Sequence, residues 1–480
     1  MEIIVDFSSF NDFLALPPAL MMWRMFWTIG WLPTAIVFLW AMFQAWMLYI
    51  QQKWGAKQKF VLLAIDIPRG NAQSPKAVEN MFAYLAGAHS SPTLIEKYWE
   101  GKFQVPFSFE IVSIDGYTQF LVHTPEKYRD LLESGIYGQY PDAEIIEVDD
   151  YTKNVPTIYP NDELDVFGAE YILRRNSAYP IKTYKEFEHI FGEPETTFRD
   201  PMAALMDLCS SLKHGEQLWY QLLVYPIGFD WPSVGEREIS KVIGEKVKVK
   251  DNIFDKILGW ILDIVGEFTG IFLISAPEEK KEEPPFKMMN LKPEQKRRVE
   301  MIQEKVGKLG LEFKIRVVYV SKKEVMNKYK VFSGVTGFMK QFAWNDLNNL
   351  KPDMDITGTK PEYFFKNYRA TIRKIKLVAH YKNRSRKGRN PGIMNVEELA
   401  SIWHFPIESV VKAPLIQKAP GRKAVPPTSL PISEEVGRVM IDESIFGPAP
   451  KSADASPFAS EPKPPVAIEK IMPPPNLPIV

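Results

Sequence analysis

Cysteine is nearly absent. Cys209 is the only one in 480 residues, so an intramolecular disulfide framework and a Cys-rich zinc site are excluded, and a lone thiol fits a reducing compartment. Its apolar, helix-patterned surroundings mark it as a small core residue. Histidine is scarce too. His89, His123, His189, His214, His380 and His404 never fall three or four apart, which removes the paired helical ligands of a zinc site; His404 is expected as a partly buried residue at a helix end. Net charge is also missing, with 59 Lys plus Arg against 59 Asp plus Glu, so any electrostatic function must come from local asymmetry. A phosphate-cradling loop is lacking as well. Gly101-Lys102 and Gly307-Lys308 are followed by Phe103 and Leu309 where Ser or Thr is needed, and Lys340 precedes Gln341. No Gly-x-Ser-x-Gly elbow occurs. No residue argues for catalysis, and the expectation is a non-enzymatic protein with no cofactor and no metal.

What is present begins with a long uncharged run. From Met25 to Gln52 no charged residue occurs in 28 positions. A helix of that length reaches roughly 40 Å at about 1.5 Å per residue, more than the ~30 Å of hydrocarbon in a bilayer. Trp23, Trp27 and Trp31 lie toward one end and Trp46, Tyr49 and Trp54 toward the other, as expected of rings placed at two headgroup levels. Pro33 is expected to kink the helix. Residues 1–24 read as an interfacial segment and 25–52 as a single transmembrane helix. Lys53, Lys57 and Lys59 follow the run whereas only Arg24 precedes it nearby, so the long C-terminal part is expected on the cytoplasmic side of the inner membrane.

Residues 60–152 have the order strand, helix, strand, strand, helix, strand. "FVLLAIDIP" is an apolar strand, "SPKAVENMFAYLAGAH" a helix capped by Ser74 with Pro75 at its first position, and "FSFEIVSIDGYTQFLVHT" two alternating strands around an Asp-Gly turn. That order is the ferredoxin-like one. A similar rhythm recurs over 160–350, so the expected fold class is α+β: a transmembrane helix followed by two ferredoxin-like sandwiches. The second is interrupted by an amphipathic helix at 253–274, suited either to packing on that sandwich or to a protein partner.

Residues 360–389 hold eleven Lys or Arg and one acid, Glu362. This reads as a basic helix and connector over 361–406, with Phe364, Phe365, Tyr368, Ile372, Ile375, Leu377 and Ala379 as its apolar residues. Its cations, Lys366, Arg369, Arg373, Lys374, Lys376, Lys382, Arg384, Arg386, Lys387 and Arg389, suit phosphate contact with DNA, RNA or inner-leaflet lipid. The alternative is a face that answers the acidic stretch from Glu144 to Asp165. Residues 407–480 are Pro-rich, with 14 of the chain's 39 prolines falling after residue 418, and are expected to be disordered.

"FSFEIVSIDGYTQFLVHTPEKYRDLLESGIYGQYPDAEIIEVDDY", "DPMAALMDLCSSLKHGEQLWYQLLVYPI" and "MNVEELASIWHFPIESVVKAPLI", with "PPTSLP" after it, together resemble the N-terminal region of a bacterial type IV secretion and conjugative DNA-transfer family over roughly residues 20 to 431. The resemblance implies a membrane-anchored region with α+β domains, followed in the family by a coupling-protein-like ATPase. Here the Glu-Glu-Leu-Ala helix and the His-Phe-Pro turn meet a Pro-rich tail instead, so the ATPase residues have no positions to be carried onto. The implied partners are the lipid bilayer, a separately encoded secretion ATPase, DNA and further copies of the chain. The other reading is a general membrane scaffold that docks proteins without a nucleic-acid role.

Overall fold

A computed structural model describes residues 16–29, 31–67, 73–189, 197–198, 200–244 and 291–407. The amphipathic run 253–274, the first fifteen residues and the tail from 408 onward lie outside the described residues.

Two helices open the chain, α1 (Pro18–Ile29) and α2 (Trp31–Gly55). Within α2, Thr34–Gly55 is long and apolar enough to cross a membrane, and only 11% of its apolar window is buried. Pro33 is the third residue of α2. In a first turn its missing amide costs no intrahelical hydrogen bond.

The first half of the body follows as β1 (Phe60–Asp66), α3 (Pro75–Leu85), β2 (Phe107–Ile114), β3 (Tyr117–Pro125), α4 (Arg129–Tyr137) and β4 (Glu144–Glu147). Helix α3 starts where its sequence says it should: Ser74 Oγ accepts from the Lys76 amide at 3.4 Å and Pro75 needs no amide partner. Its Val78, Phe82 and Leu85 are wholly buried on one face. Asp115 and Gly116, both with positive φ (54° and 89°), close the β2–β3 hairpin. An Asp-Gly pair is favoured there because the turn that matches strand twist needs left-handed backbone at both central residues.

The second half contains β5 (Leu164–Leu173), a separate two-stranded ribbon of β6 (Glu188–His189) and β7 (Thr197–Phe198), α5 (Met202–Ser210), β8 (Glu216–Pro226), α6 (Pro232–Ile243), α7 (Pro293–Val306), β9 (Gly310–Lys322), α8 (Lys328–Lys340) and β10 (Leu350–Pro352). After it come α9 (Lys366–Lys382), β11 (Gly392–Asn395) and α10 (Val396–Ile402).

Two separate sandwiches were the expectation, and the structure differs. Nine strands form one sheet in the order β10-β5-β9-β8-β2-β3-β1-β4, with β11 also paired to β9. Every pairing is antiparallel. The halves join where β2 pairs with β8 from Phe107↔Val224 to Ile114↔Gln217. Read outward from this seam, the two halves have the same strand order. The physical reason for the fusion is burial: β2 is covered on both faces, and an edge strand with two buried faces would leave its ladder groups without partners.

Alternation along the central strands builds two cores. One face carries Leu63, Phe109, Ile111, Val122, Leu222 and Ile315 against α3, α4, α5, α8 and α10; the other carries Leu62, Val112, Leu121, Trp219 and Val318 against Leu377, Val378 and Tyr381 of α9. Helix α10 belongs to the first core, where the sequence suggested a connector leading outward. All seven of its residues are buried. Asn395 and Glu398 cap it reciprocally, at 2.8 and 3.1 Å, and the next residue, Trp403, stands edge-on to Phe109 and Phe405 at 4.9 and 5.1 Å between ring centres. Glu398 also pairs with Lys305 at 2.9 Å, with neither side chain exposed.

Candidate functional site: the basic segment over the sheet

Four polar residues stand directly opposite one another on adjacent strands: Glu110 of β2 faces Gln221 of β8, which faces Arg316 of β9, which faces Glu170 of β5. All four are buried. A charge removed from water must be paired and hydrogen-bonded, because stripping its hydration costs several kcal/mol. Much of that pairing comes from the basic segment.

Arg384 donates from Nε to Glu110 Oε1 at 3.0 Å and from Nη2 to Glu110 Oε2 at 3.2 Å, while its Nη1 reaches Asp150. Its own backbone is held at φ 43°. Tyr151 donates to Glu110 Oε2 at 2.8 Å and lies at the same distance from the Tyr381 hydroxyl. Gln221 donates to Glu110 Oε1 at 3.0 Å and to the Tyr381 carbonyl at 3.2 Å, and accepts from Arg316 at 3.2 Å. Arg316 bonds Glu170 through Nε at 2.9 Å and the carbonyls of Ser385 and Lys387 through Nη2 at 2.6 Å each. Lys314 donates to the carbonyls of Arg386, Lys387 and Arg389 at 3.1, 2.8 and 2.7 Å. The loop after α9 thus presents its carbonyls to two buried cations. Gly388, at φ 108°, passes so close to Glu170 that a Cβ there would collide with the carboxylate.

The protonation states follow. Burial works against ionisation of Glu110, yet Arg384 holds its carboxyl below the usual range, and the same balance brings Asp150 down to about 2. Burial, with the Glu110 carboxylate adding to it and Arg384 opposing it, pushes Tyr151 and Tyr381 well above their ordinary values. Burial pulls Lys314 down to about 8. Burial, followed by the nearby charges of Arg384 and Arg316 respectively, brings His123 and His380 down to about 4.

The ten cations singled out in the sequence therefore divide. Arg384 lies inside the network. Arg373 holds the carbonyls of Met354 and Gly358 at 2.9 and 3.0 Å, Lys374 pairs with Asp165, Lys382 reaches the Val155 carbonyl, and Arg386 pairs with Glu312 at 2.5 Å. Arg369 donates to the Glu362 carbonyl at 2.8 Å. Arg389 gives its amide to Glu170 at 2.8 Å, and its half-buried side chain lines a cavity of about 570 Å³ with Arg175, Glu312 and Lys314. Lys366, Lys376 and Lys387 are exposed, and among the described residues their side chains meet no hydrogen-bonding or ionic partner. Asp150 and Asp165, both in the acidic stretch from Glu144 to Asp165, thus receive Arg384 and Lys374.

The apolar residues of the segment divide as well. Leu377 is buried with Val378 and Tyr381, but Phe364, Phe365 and Tyr368 are exposed together with Tyr363. Tyr363 and Phe365 have φ values of 68° and 53°, left-handed backbone that bulky residues rarely adopt. Sequence reasoning missed Glu110, Gln221, Arg316 and Glu170. Each lies in a strand with other polar residues, such as Ser108 and Ser113 on β2 or Glu312 and Lys314 on β9, so alternation alone does not mark the four.

His404 is fully buried, where partial burial was expected. Its Nε2 lies 2.9 Å from Asp200 Oδ1 and its Nδ1 2.8 Å from the Ala400 carbonyl. Asp200 also accepts from the amides of Met202 and Ile407 at 2.7 and 3.0 Å; burial opposes its ionisation, but His404 and these amides hold its carboxyl below the ordinary range. The pair clamps α5 to the residues after α10. Among the described residues, no group of three or more His, Cys, Asp or Glu is placed to hold a metal ion.

The family model described as Domain of unknown function (DUF8128) matches residues 96–417, more than half of the chain. The chain belongs to that family. No curated protein and no solved structure matches it. The DUF8128 span takes in the polar row, α9 and α10, but begins after β1 and α3, although β1 sits between β3 and β4 in the sheet.

Proposed function

We propose that the chain is a non-enzymatic, membrane-anchored platform: α2 crosses the inner membrane once and the nine-stranded body stands on its cytoplasmic side. The observation that carries this reading is the long apolar surface of α2, left uncovered by the body along most of its length while its C-terminal end is packed against that body at Met47 and Ile50. A helix of this kind has a bilayer as its natural solvent. The flanking lysines 53, 57 and 59 support the orientation. Each half of the sheet follows the ferredoxin-like strand order, and we read the body as two such units fused at the β2–β8 seam. In line with the resemblance, the platform would serve a type IV secretion or DNA-transfer apparatus in which a separate ATPase supplies the work and further copies of the chain assemble beside it.

A DNA-contacting role narrows to the exposed cations Lys366, Lys376 and Lys387, the first of them beside the exposed rings of Tyr363, Phe364, Phe365 and Tyr368. Aromatic rings beside cations can stack bases while the cations meet phosphates. The scaffold reading without DNA needs only the anchor and the sheet.

Washing membranes that contain the full chain with alkaline carbonate tests the anchor. The protein is expected to stay in the pellet, and the variant Phe38→Arg with Leu39→Arg to move to the supernatant, since each arginine at mid-span costs about 2.5–3.5 kcal/mol. Release of the unaltered chain would refute the anchor.

A further inference from the structure

Between α3 and β2 the chain makes a single wide turn, Glu96–Glu100. Glu96 is held locally, accepting from the Thr93 amide at 2.8 Å and pairing with Lys102 at 2.8 Å, while Lys97 and Glu100 are exposed. Leu94, Ile95 and Trp99 are 75%, 71% and 73% exposed, three large apolar side chains within six residues of one another.

This turn is fixed to α2. The Trp46 indole donates to the Tyr98 carbonyl at 3.2 Å. Trp46 and Trp99 lie 6.0 Å apart between ring centres, Phe43 and Tyr98 6.1 Å, and Trp54 and Phe103 5.0 Å. Gly101, at φ 77°, lies against the Ile50 backbone, where any Cβ would clash. The contact thus extends along α2 from Phe43 to Trp54.

Depth follows from helix geometry. Trp46 precedes Lys53, the first cation after the apolar run, by seven residues, or about 10 Å of helix rise. The headgroup zone on each side of the ~30 Å hydrocarbon is only about 5–8 Å thick. With Lys53 at the outer headgroup level, Trp46 stands at the boundary with the hydrocarbon, and a turn packed beside Trp46 stands there too. Water cannot be the solvent of Leu94, Ile95 and Trp99 in that position.

We infer that the Leu94–Trp99 turn is a second membrane-contacting element, dipping into the leaflet that α2 enters at its C-terminal end and holding the body at a fixed height and tilt on lipid. This inference rests on the reading that α2 spans the bilayer. Continuity with α2 identifies lipid as the occupant, since the same Trp46 that touches Trp99 belongs to the spanning surface. Lys97, with its ammonium 5.2 Å from the Tyr98 ring centre, has a stem long enough to return its charge to the headgroups.

The test uses the full chain in lipid vesicles. Native Cys209 is buried, and burial pushes its thiol up to about 12, so single cysteines introduced elsewhere take a nitroxide label selectively. Labels at Ile95→Cys and Trp99→Cys are compared with Phe38→Cys in mid-α2 and Tyr329→Cys on α8, by relaxation enhancement with oxygen, which concentrates in lipid, and with a water-soluble nickel chelate. At 95 and 99 oxygen is expected to exceed nickel, less strongly than at 38 and opposite to 329. Nickel dominance at 95 and 99 with oxygen dominance at 38 would overturn the dipping turn and leave the span intact. Inaccessibility of 95 and 99 to both reagents would assign the turn to a protein contact and overturn the proposal equally. Nickel dominance at 38 would remove the span, and the turn's role with it.

Discussion

Arg384 and Glu110 are separated by 274 positions in the chain yet share two hydrogen bonds under α9. Removing the guanidinium strands a buried carboxylate, so Arg384→Met is expected to cost about 3–5 kcal/mol of stability. Adding Glu110→Gln should return part of that loss, because the uncompensated charge goes with it. Denaturant unfolding of the full chain in detergent reads both, and an unchanged midpoint for Arg384→Met would contradict the network. Acid should act at the same place. Glu110, Asp150 and Asp200 have carboxyls held below their ordinary values, so their contribution is complete above about pH 5 and is lost as pH falls through the folded values. His123 and His380 are lowered from 6.5 to about 4; between those values the unfolded chain binds more protons than the folded one, so stability already declines as pH drops below 6.5. Thermal unfolding should therefore show two acid phases, and His123→Gln should shrink the first. The acidic stretch that holds Asp150 was legible in sequence as an answer to the basic segment, whereas Glu110 was not. A strand with Ser108, Glu110 and Val112 alternating against Phe107, Phe109 and Ile111 looks the same whether its polar face meets water or a covering helix. Only the long-range packing of α9 decides.

Helix α9 itself was legible as a basic helix, but its cations were not separable into spent and free ones. Replacing Arg373, Lys374, Lys376, Arg384 and Arg386 together would dismantle contacts with Met354, Asp165, Glu110 and Glu312, so loss of DNA binding in that variant would follow from damage to the fold. The informative set is Lys366, Lys376 and Lys387 changed to Gln. If the segment contacts duplex DNA, this variant should lower the slope of log affinity against log salt by about 0.9 for each lost phosphate contact, with unfolding unchanged. An identical slope in the variant would free α9 of any such role. Other elements were plainer. The Asp115-Gly116 turn and the Ser74 cap were readable because local chemistry settles them. Helix α10 was not: its Glu397, Glu398 and Ser401 look solvent-facing in sequence, and they are buried because Lys185, Lys308 and Lys305 and the amides of Ile181 and Tyr184 reach them.

On the scale of the molecule, two halves of like strand order share one sheet whose outer strands, β4 and β10, run only four and three residues. Short edges offer little ladder for stray pairing. The rhythm of strands and helices was visible in the sequence; the fusion was not, since nothing local in "FSFEIVSI" or "EQLWYQLLVYPI" names the other as its neighbour. The apolar helix was visible too, while the Leu94–Trp99 turn beside it was hidden in an unremarkable loop. The central claim is a body tethered by α2 on the cytoplasmic face, and side-specific labelling tests it most directly. Spheroplasts carrying the Tyr329→Cys chain are treated with a membrane-impermeant maleimide before and after permeabilisation. The account predicts labelling only after permeabilisation, and labelling of intact spheroplasts would contradict it.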